Sequence, residues 1–132
     1  MKKLFLVILI IIGFFFISGC VTEQNEGTII SLKNLSADKG LYHSSENVNL
    51  TAVIYSKSDL GNVTVIATGI NGRLNEKKIL NLKTGVNEIY FNYKLPRCNV
   101  CGGISEGDYN LSCRVIYENT TAEKSITINI QQ

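Results

Sequence analysis

The sequence has no Trp, one Pro, one His and one Met in 132 residues. A single His leaves acid–base chemistry near neutral pH, and imidazole ligation of metals, short of candidates. No Gly-rich phosphate loop, Ser/His/Asp arrangement or calcium-loop spacing occurs, so the commonest hydrolytic and cation-binding chemistries have no motif to work from. A clustered basic surface is missing as well. Lys and Arg number 13 against 11 Asp and Glu, and the residues from Cys20 onward carry equal numbers of each sign. Without excess positive charge there is no electrostatic case for a nucleic-acid partner. No catalytic residue, cofactor or resident metal is therefore expected.

What the chain does have is a distinct beginning. Lys2-Lys3 precede a run from Leu4 to Ile17 that is apolar apart from Gly13, and Ser18-Gly19-Cys20 follow it. A basic start, an apolar middle and small residues at the cut are the layout of a secretory signal. At 1.5 Å per residue the run covers about 21 Å, too short for a hydrocarbon core of about 30 Å. A helical signal segment over residues 1–19 is predicted. Ile17-Ser18-Gly19-Cys20 resembles the lipobox of prokaryotic membrane lipoproteins. The resemblance implies a lipid in thioether linkage on the Cys20 sulfur, cleavage just before it, and a protein held on the outer face of the cell membrane. Residues 20–27 then form the anchored Cys and a short polar leash.

From residue 28 to 132 the apolar residues recur with period two, and no stretch of ten or more has helical spacing. Val48, Leu50, Ala52 and Ile54 share one face of a strand, and Ile89, Phe91, Tyr93 and Leu95 share one face of another. Tyr109, Leu111, Cys113, Val115 and Tyr117 form a third such series, with Ile126, Ile128 and Ile130 a fourth. Weaker patterns over residues 28–35, 62–70 and 73–82 bring the total to about seven strands. Asn71-Gly72 is a hairpin signal, because both residues tolerate positive φ, and Thr84-Gly85 and Glu118-Asn119 read as further turns. Half-buried strands at this spacing predict an all-β, two-sheet antiparallel sandwich. By the same parity Tyr55 and Tyr90 point to solvent.

Tyr42, Glu46, Val48 and Leu50, and then Gly107, Asp108, Tyr109 and Leu111, are similar to the pattern of immunoglobulin-like modules of prokaryotic surface proteins, such as the CARDB type. Gly-Asp-Tyr at the start of the penultimate strand resembles a tyrosine corner, which implies that the Tyr109 hydroxyl bonds to nearby backbone. The chain departs from immunoglobulin domains in having no core Trp and no second-strand Cys to pair with Cys113. The resemblance carries an architecture and no activity.

With Cys20 assigned to lipid, Cys98, Cys101 and Cys113 remain. An oxidising compartment favours a Cys98–Cys101 bridge that pins the loop after Leu95, and Cys113 faces inward as a small buried residue. The rival is a small extracytoplasmic thiol-redox or metal-binding protein using Cys98 and Cys101, with Cys113 and His43 as further ligands. Gly102-Gly103 is a poor helix opening for redox work, and His43 lies in a polar turn. Glu106 and Asp108 could act as a carboxylate pair, against a plain reading as solvated loop residues.

Five N-x-[ST] acceptors occur, at Asn34, Asn49, Asn62, Asn110 and Asn119. Random placement of the same residues gives about two. Asn49, Asn62 and Asn110 have outward parity and Asn119 lies in a turn, so these four are candidate glycosylation sites. Asn34 shares parity with Ile30 and Leu32 and faces inward unless a bulge intervenes. Lipobox-like signals together with N-glycosylated surface proteins would fit an archaeal host. The combined expectation is a non-catalytic, lipid-anchored module that binds or positions an envelope protein or glycan.

Overall fold

The computed structural model describes residues 27–97 and 103–132. The signal segment, Cys20, most of the leash, Cys98 and Cys101 lie outside these residues. Eight strands follow one another: β1 (Ile30–Ala37), β2 (Leu41–His43), β3 (Asn47–Ser56), β4 (Leu60–Gly69), β5 (Leu74–Leu82), β6 (Gly85–Lys94), β7 (Gly107–Tyr117) and β8 (Thr120–Gln131). They form a three-stranded sheet in the order β1-β3-β6 and a five-stranded sheet in the order β2-β8-β7-β4-β5. This is the two-sheet sandwich read from the sequence, with one strand more than expected.

Alternation drives the stacking. Val48, Leu50, Ala52 and Ile54 of β3 are buried, as are Val63, Val65 and Ala67 of β4 and Tyr109, Leu111, Cys113 and Val115 of β7. Register is strict where both faces of a strand are so different, since a one-residue slip would send the whole apolar set into water. Leu50 lies opposite Phe91 and Ala67 opposite Cys113. Among the described residues the one buried polar side chain is Ser56, whose Oγ donates to the Ser58 carbonyl at 2.6 Å. Ile89 and Tyr93 are only partly buried, because β6 is an outer strand.

Two irregularities re-aim side chains. The β1–β3 register shifts between Leu32 and Asn34, so Lys33 is an extra residue and Asn34 turns outward, removing its conflict of parity. The β4–β5 register shifts between Leu60 and Val63, where Asn62 has φ 55° and its backbone N–H reaches Asn81 Oδ1 at 3.1 Å. A bulge residue in the left-handed region suits Asn or Gly.

Two differences from the sequence reading have local causes. β2 is only three residues long, too short to show alternation, and pairs parallel with β8 from Leu41↔Asn129 to His43↔Gln131. Its Tyr42 is wholly buried. The β4–β5 hairpin is not a two-residue turn on Asn71-Gly72. It is a four-residue loop closed by Gly72 N–H to Gly69 O at 3.0 Å and Arg73 N–H to Ile70 O at 3.1 Å. Ile70 takes φ 51°, an unfavourable backbone for a β-branched residue, and its side chain is buried in the core.

The connections divide the sandwich into two ends. The chain enters β1 at a proximal end that also holds the turns at residues 57–59, 83–84 and 118–119. The distal end gathers the turns at 38–40 and 44–46, the 70–73 hairpin and the described flanks of the segment between β6 and β7, residues 95–97 and 103–106. Along one side β1 packs against β8. Along the other the outer strands β5 and β6 face each other, and Lys78 Nζ donates to the Tyr90 carbonyl at 2.6 Å while lying 4.9 Å from the Phe91 ring centre.

The tyrosine corner is present. Tyr109 is buried and its hydroxyl donates to the Ser105 carbonyl at 2.8 Å. Tyr109→Phe is expected to lower the unfolding free energy by about 1 kcal/mol, the net worth of one such bond. Leu111→Ala, two residues on in the same core, is expected to cost about 2–5 kcal/mol. Urea unfolding of the two variants checks the contrast, and equal losses would contradict it.

Candidate functional site

The distal end is built by a hydrogen-bond network around Asp38, the residue after β1. Asp38 Oδ1 accepts from the Tyr42 hydroxyl and from the Asn49 N–H at 3.1 Å, and its Oδ2 accepts from Asn49 Nδ2 at 3.0 Å. Tyr42 accepts in turn from the Lys39 N–H at 3.0 Å. One carboxylate thus ties the 38–40 turn to β2 and β3. Glu46 does the same for the next turn, accepting from Lys39 Nζ at 3.1 Å and from the His43 N–H at 2.9 Å. Its carbonyl accepts from the Leu95 N–H at 2.8 Å, and Arg73 Nη2 donates to the Gly103 carbonyl at 2.9 Å. Four connections are held together at this end by polar contacts.

Their electrostatics follow. Desolvation pushes the Asp38 carboxyl up, but the bonds from Tyr42 and Asn49 outweigh it and hold the group below the usual carboxylate value. Burial, with the Asp38 bond second, pushes the Tyr42 phenol up to about 12. The backbone bond from His43 and then the Lys39 bond lower Glu46. Such groups are fixed in one charge state at neutral pH. They suit recognition better than proton transfer, which wants a group poised near the working pH.

Among the described residues, those that could carry other chemistry are dispersed. Asp108 accepts from Asn129 Nδ2 at 2.8 Å and Glu106 from the Gln132 N–H at 2.9 Å, so each carboxylate serves its own strand end. Cys113 is a fully buried free thiol whose pKa burial raises to about 11, with Glu123 adding to it. It lies opposite Lys124 on β8, whereas His43 lies opposite Gln131. Seven residues of strand, on the order of 20 Å, separate those positions. Among the described residues no three His, Cys, Asp or Glu side chains converge as metal ligands. A surface depression of about 200 Å³ beside Asp59, Gly61 and Lys83 falls below the roughly 300 Å³ at which small-molecule sites begin.

The sequons all lie on the outside. Asn34, Asn49, Asn62, Asn110 and Asn119 are each exposed. Asn49 is engaged at both ends of its amide, giving Nδ2 to Asp38 and accepting from Asn92 Nδ2 at Oδ1. Asn110 Oδ1 accepts from Thr127 Oγ1 at 2.9 Å. Tyr55 and Tyr90 do point outward, on the free face of the three-stranded sheet, where Val86 lies opposite Tyr55 and is 67% exposed. Lys33 Nζ sits 5.6 Å from the Tyr55 ring centre. The distal network was not legible in the sequence, because Asp38 and Asn49 are eleven residues apart and sit in unlike local patterns.

Neither a family model nor a curated protein matches this chain. Solved structures with the same fold do. A CARDB domain from Pyrococcus furiosus, crystallised in complex with di-metal ions, has TM-score 0.55 at 13% identity, covering 77% of this chain and 85% of that one. A DNA-bound alkylpurine DNA glycosylase from Pseudomonas fluorescens reaches 0.56 at 13% identity, covering 80% of this chain and 31% of the enzyme. A sporulation control protein from Bacillus subtilis gives 0.52 at 10% identity, covering 80% of this chain and 50% of that one. Identities this low define a CARDB-like β-sandwich and transfer no activity.

At the proximal end Asp59 joins two turns. Its Oδ2 accepts from Lys83 Nζ at 2.9 Å and its Oδ1 from the Thr84 N–H at 2.8 Å, and the Lys83 bond followed by the Thr84 bonds lowers its pKa to about 2. A depressed folded-state pKa contributes stability that is complete above the unfolded value of 3.8 and lost as pH falls toward about 2. Tyr42 has the opposite sign. Its neutral phenol contributes fully below pH 10.0, and the contribution is lost as pH rises toward about 12. Carboxyl titration by NMR is expected to show Asp59 as the more acidic of the two aspartates at these turns. In Tyr42→Phe the last phenolate to appear in an ultraviolet titration is expected to vanish.

Proposed function

We propose that this protein is a non-catalytic module, anchored outside the cell by a lipid on Cys20, that binds or positions an envelope partner through its distal end. The supporting observation is topological. The strand that follows the leash starts at one end of the sandwich, and the tied connections around Asp38 and Glu46 gather at the other. A tether at the leash points those connections outward. Binding residues are disproportionately carried on loops held by a rigid scaffold, and these loops are held by charge-assisted bonds. The partner is a protein or a glycan that meets both neutral and charged polar groups.

Two measurements test the reading. The membrane-extracted protein is expected to carry a lipid mass on its Cys20 peptide that is lost in Cys20→Ala, and a wild-type Cys20 peptide without lipid would overturn the lipid anchor. A photo-cross-linker placed at Lys39 is expected to capture a reproducible partner in intact cells, while one at Lys83, on the proximal end, captures far less. Equal capture from the two ends, or none from Lys39, would overturn the assignment of the binding end.

A further inference from the structure

The free face of the three-stranded sheet carries exposed apolar side chains that no other element among the described residues covers. Tyr55, Val86 and Tyr90 are 37%, 67% and 59% exposed, and the strand register places Tyr55 against Val86 and Thr51 against Tyr90. Glu88 stands between Val86 and Tyr90 on the same face, so the strip alternates apolar surface with a carboxylate and suits an amphipathic occupant. Asn34 stands beside it. The bulge at Lys33 turns Asn34 onto this face, opposite Val53 on the central strand, so Tyr55 is its diagonal neighbour about 7–8 Å away. Asn34-Leu35-Ser36 is an acceptor sequon, and among the described residues nothing accepts from its Nδ2. Leu35 is buried, which leaves Asn34 and Ser36 together on the outside.

We infer that Asn34 carries an N-linked glycan whose first sugars lie on the Tyr55–Val86–Tyr90 strip. Bond by bond, the Asn34 amide nitrogen attacks the anomeric carbon of an oligosaccharide carried on a polyprenyl phosphate donor. A carbon–nitrogen bond forms, the carbon–oxygen bond to the phosphate breaks with its electron pair leaving on the phosphate, and the nitrogen gives up one proton. The apolar C–H faces of the sugars then pack on the tyrosine rings, and their hydroxyls meet Thr51, Glu88 and Asn92 around the strip. Asn49, on the same face and also in a sequon, has its Nδ2 committed to Asp38 and stays unmodified. The inference shares only the exported location with the reading above, and the Cys20 lipid-mass measurement examines the anchor separately.

The test uses the processed full chain, purified from membranes of the cells that encode it. Peptide mapping by mass spectrometry is expected to find whole hexose or hexosamine increments on the Asn34 peptide and none on the Asn49 peptide. Ser36→Ala is expected to abolish the Asn34 increment without changing either the Asn residue or the membrane location. Iodination of Tyr55 and Tyr90 is expected to be severalfold faster in Asn34→Gln than in the glycosylated protein, with buried Tyr42 as the unreactive reference. An unmodified Asn34 peptide, or a modified Asn49 peptide, would overturn the site. Equal iodination rates with and without the glycan would overturn its placement on the strip.

Discussion

Each strand of this chain must hide one of its two faces, and the seam between the two sheets is where that demand is met. The inward rows of β3, β4 and β7 fill the seam with Leu, Val, Ile and Ala side chains, and each fully buried Leu, Val or Ile contributes about 1.5–3 kcal/mol. Everything outside the seam is then free to be polar. That freedom explains why Asn, Ser and Thr crowd the outer faces, and why so many acceptor sequons run outward Asn, inward apolar, outward Ser or Thr. It also explains the two bulges. Where an extra residue enters β1 or β4, the chain absorbs it locally and returns to register, because carrying the slip further would empty the seam.

Long alternating runs were readable in the sequence because period two is a direct record of burial. β3 and β7 are the strongest cases, and Tyr109 was readable as a corner because Gly-Asp-Tyr precedes a regular run. β2 was not, since three residues cannot establish a period and its burial of Tyr42 depends on β8, some ninety residues later. The loop at residues 70–73 was misread because Asn71-Gly72 is the local signal for a tight turn, whereas burial of Ile70 widened it to four residues. Asn34 depended on a bulge that no local pattern announces. The candidate site was the least legible part. Asp38, Tyr42, Glu46 and Asn49 are ordinary surface residue types, and only the pairing of strands brings them within reach of one another.

The charged groups of the two ends hold turns in place. At the distal end Asp38 and Glu46, and at the proximal end Asp59, spend their lone pairs on backbone N–H groups and neighbouring side chains of adjoining turns. Loops without helices or disulfides among the described residues gain their fixed shape this way. A surface held in one shape loses less conformational freedom when a partner arrives, which raises affinity without any added contact.

Lys78 bridges the open side of the sandwich, its ammonium on a carbonyl of β6 and its stem across Phe91. An outer strand with unclaimed backbone groups is a template for recruiting the same strand from another copy, and such recruitment propagates into fibrils. A cation already seated on the β6 backbone spoils that template, since an incoming chain would have to evict it and leave it without its acceptor. Along this one edge, a copy that came alongside would find its first backbone partner already taken.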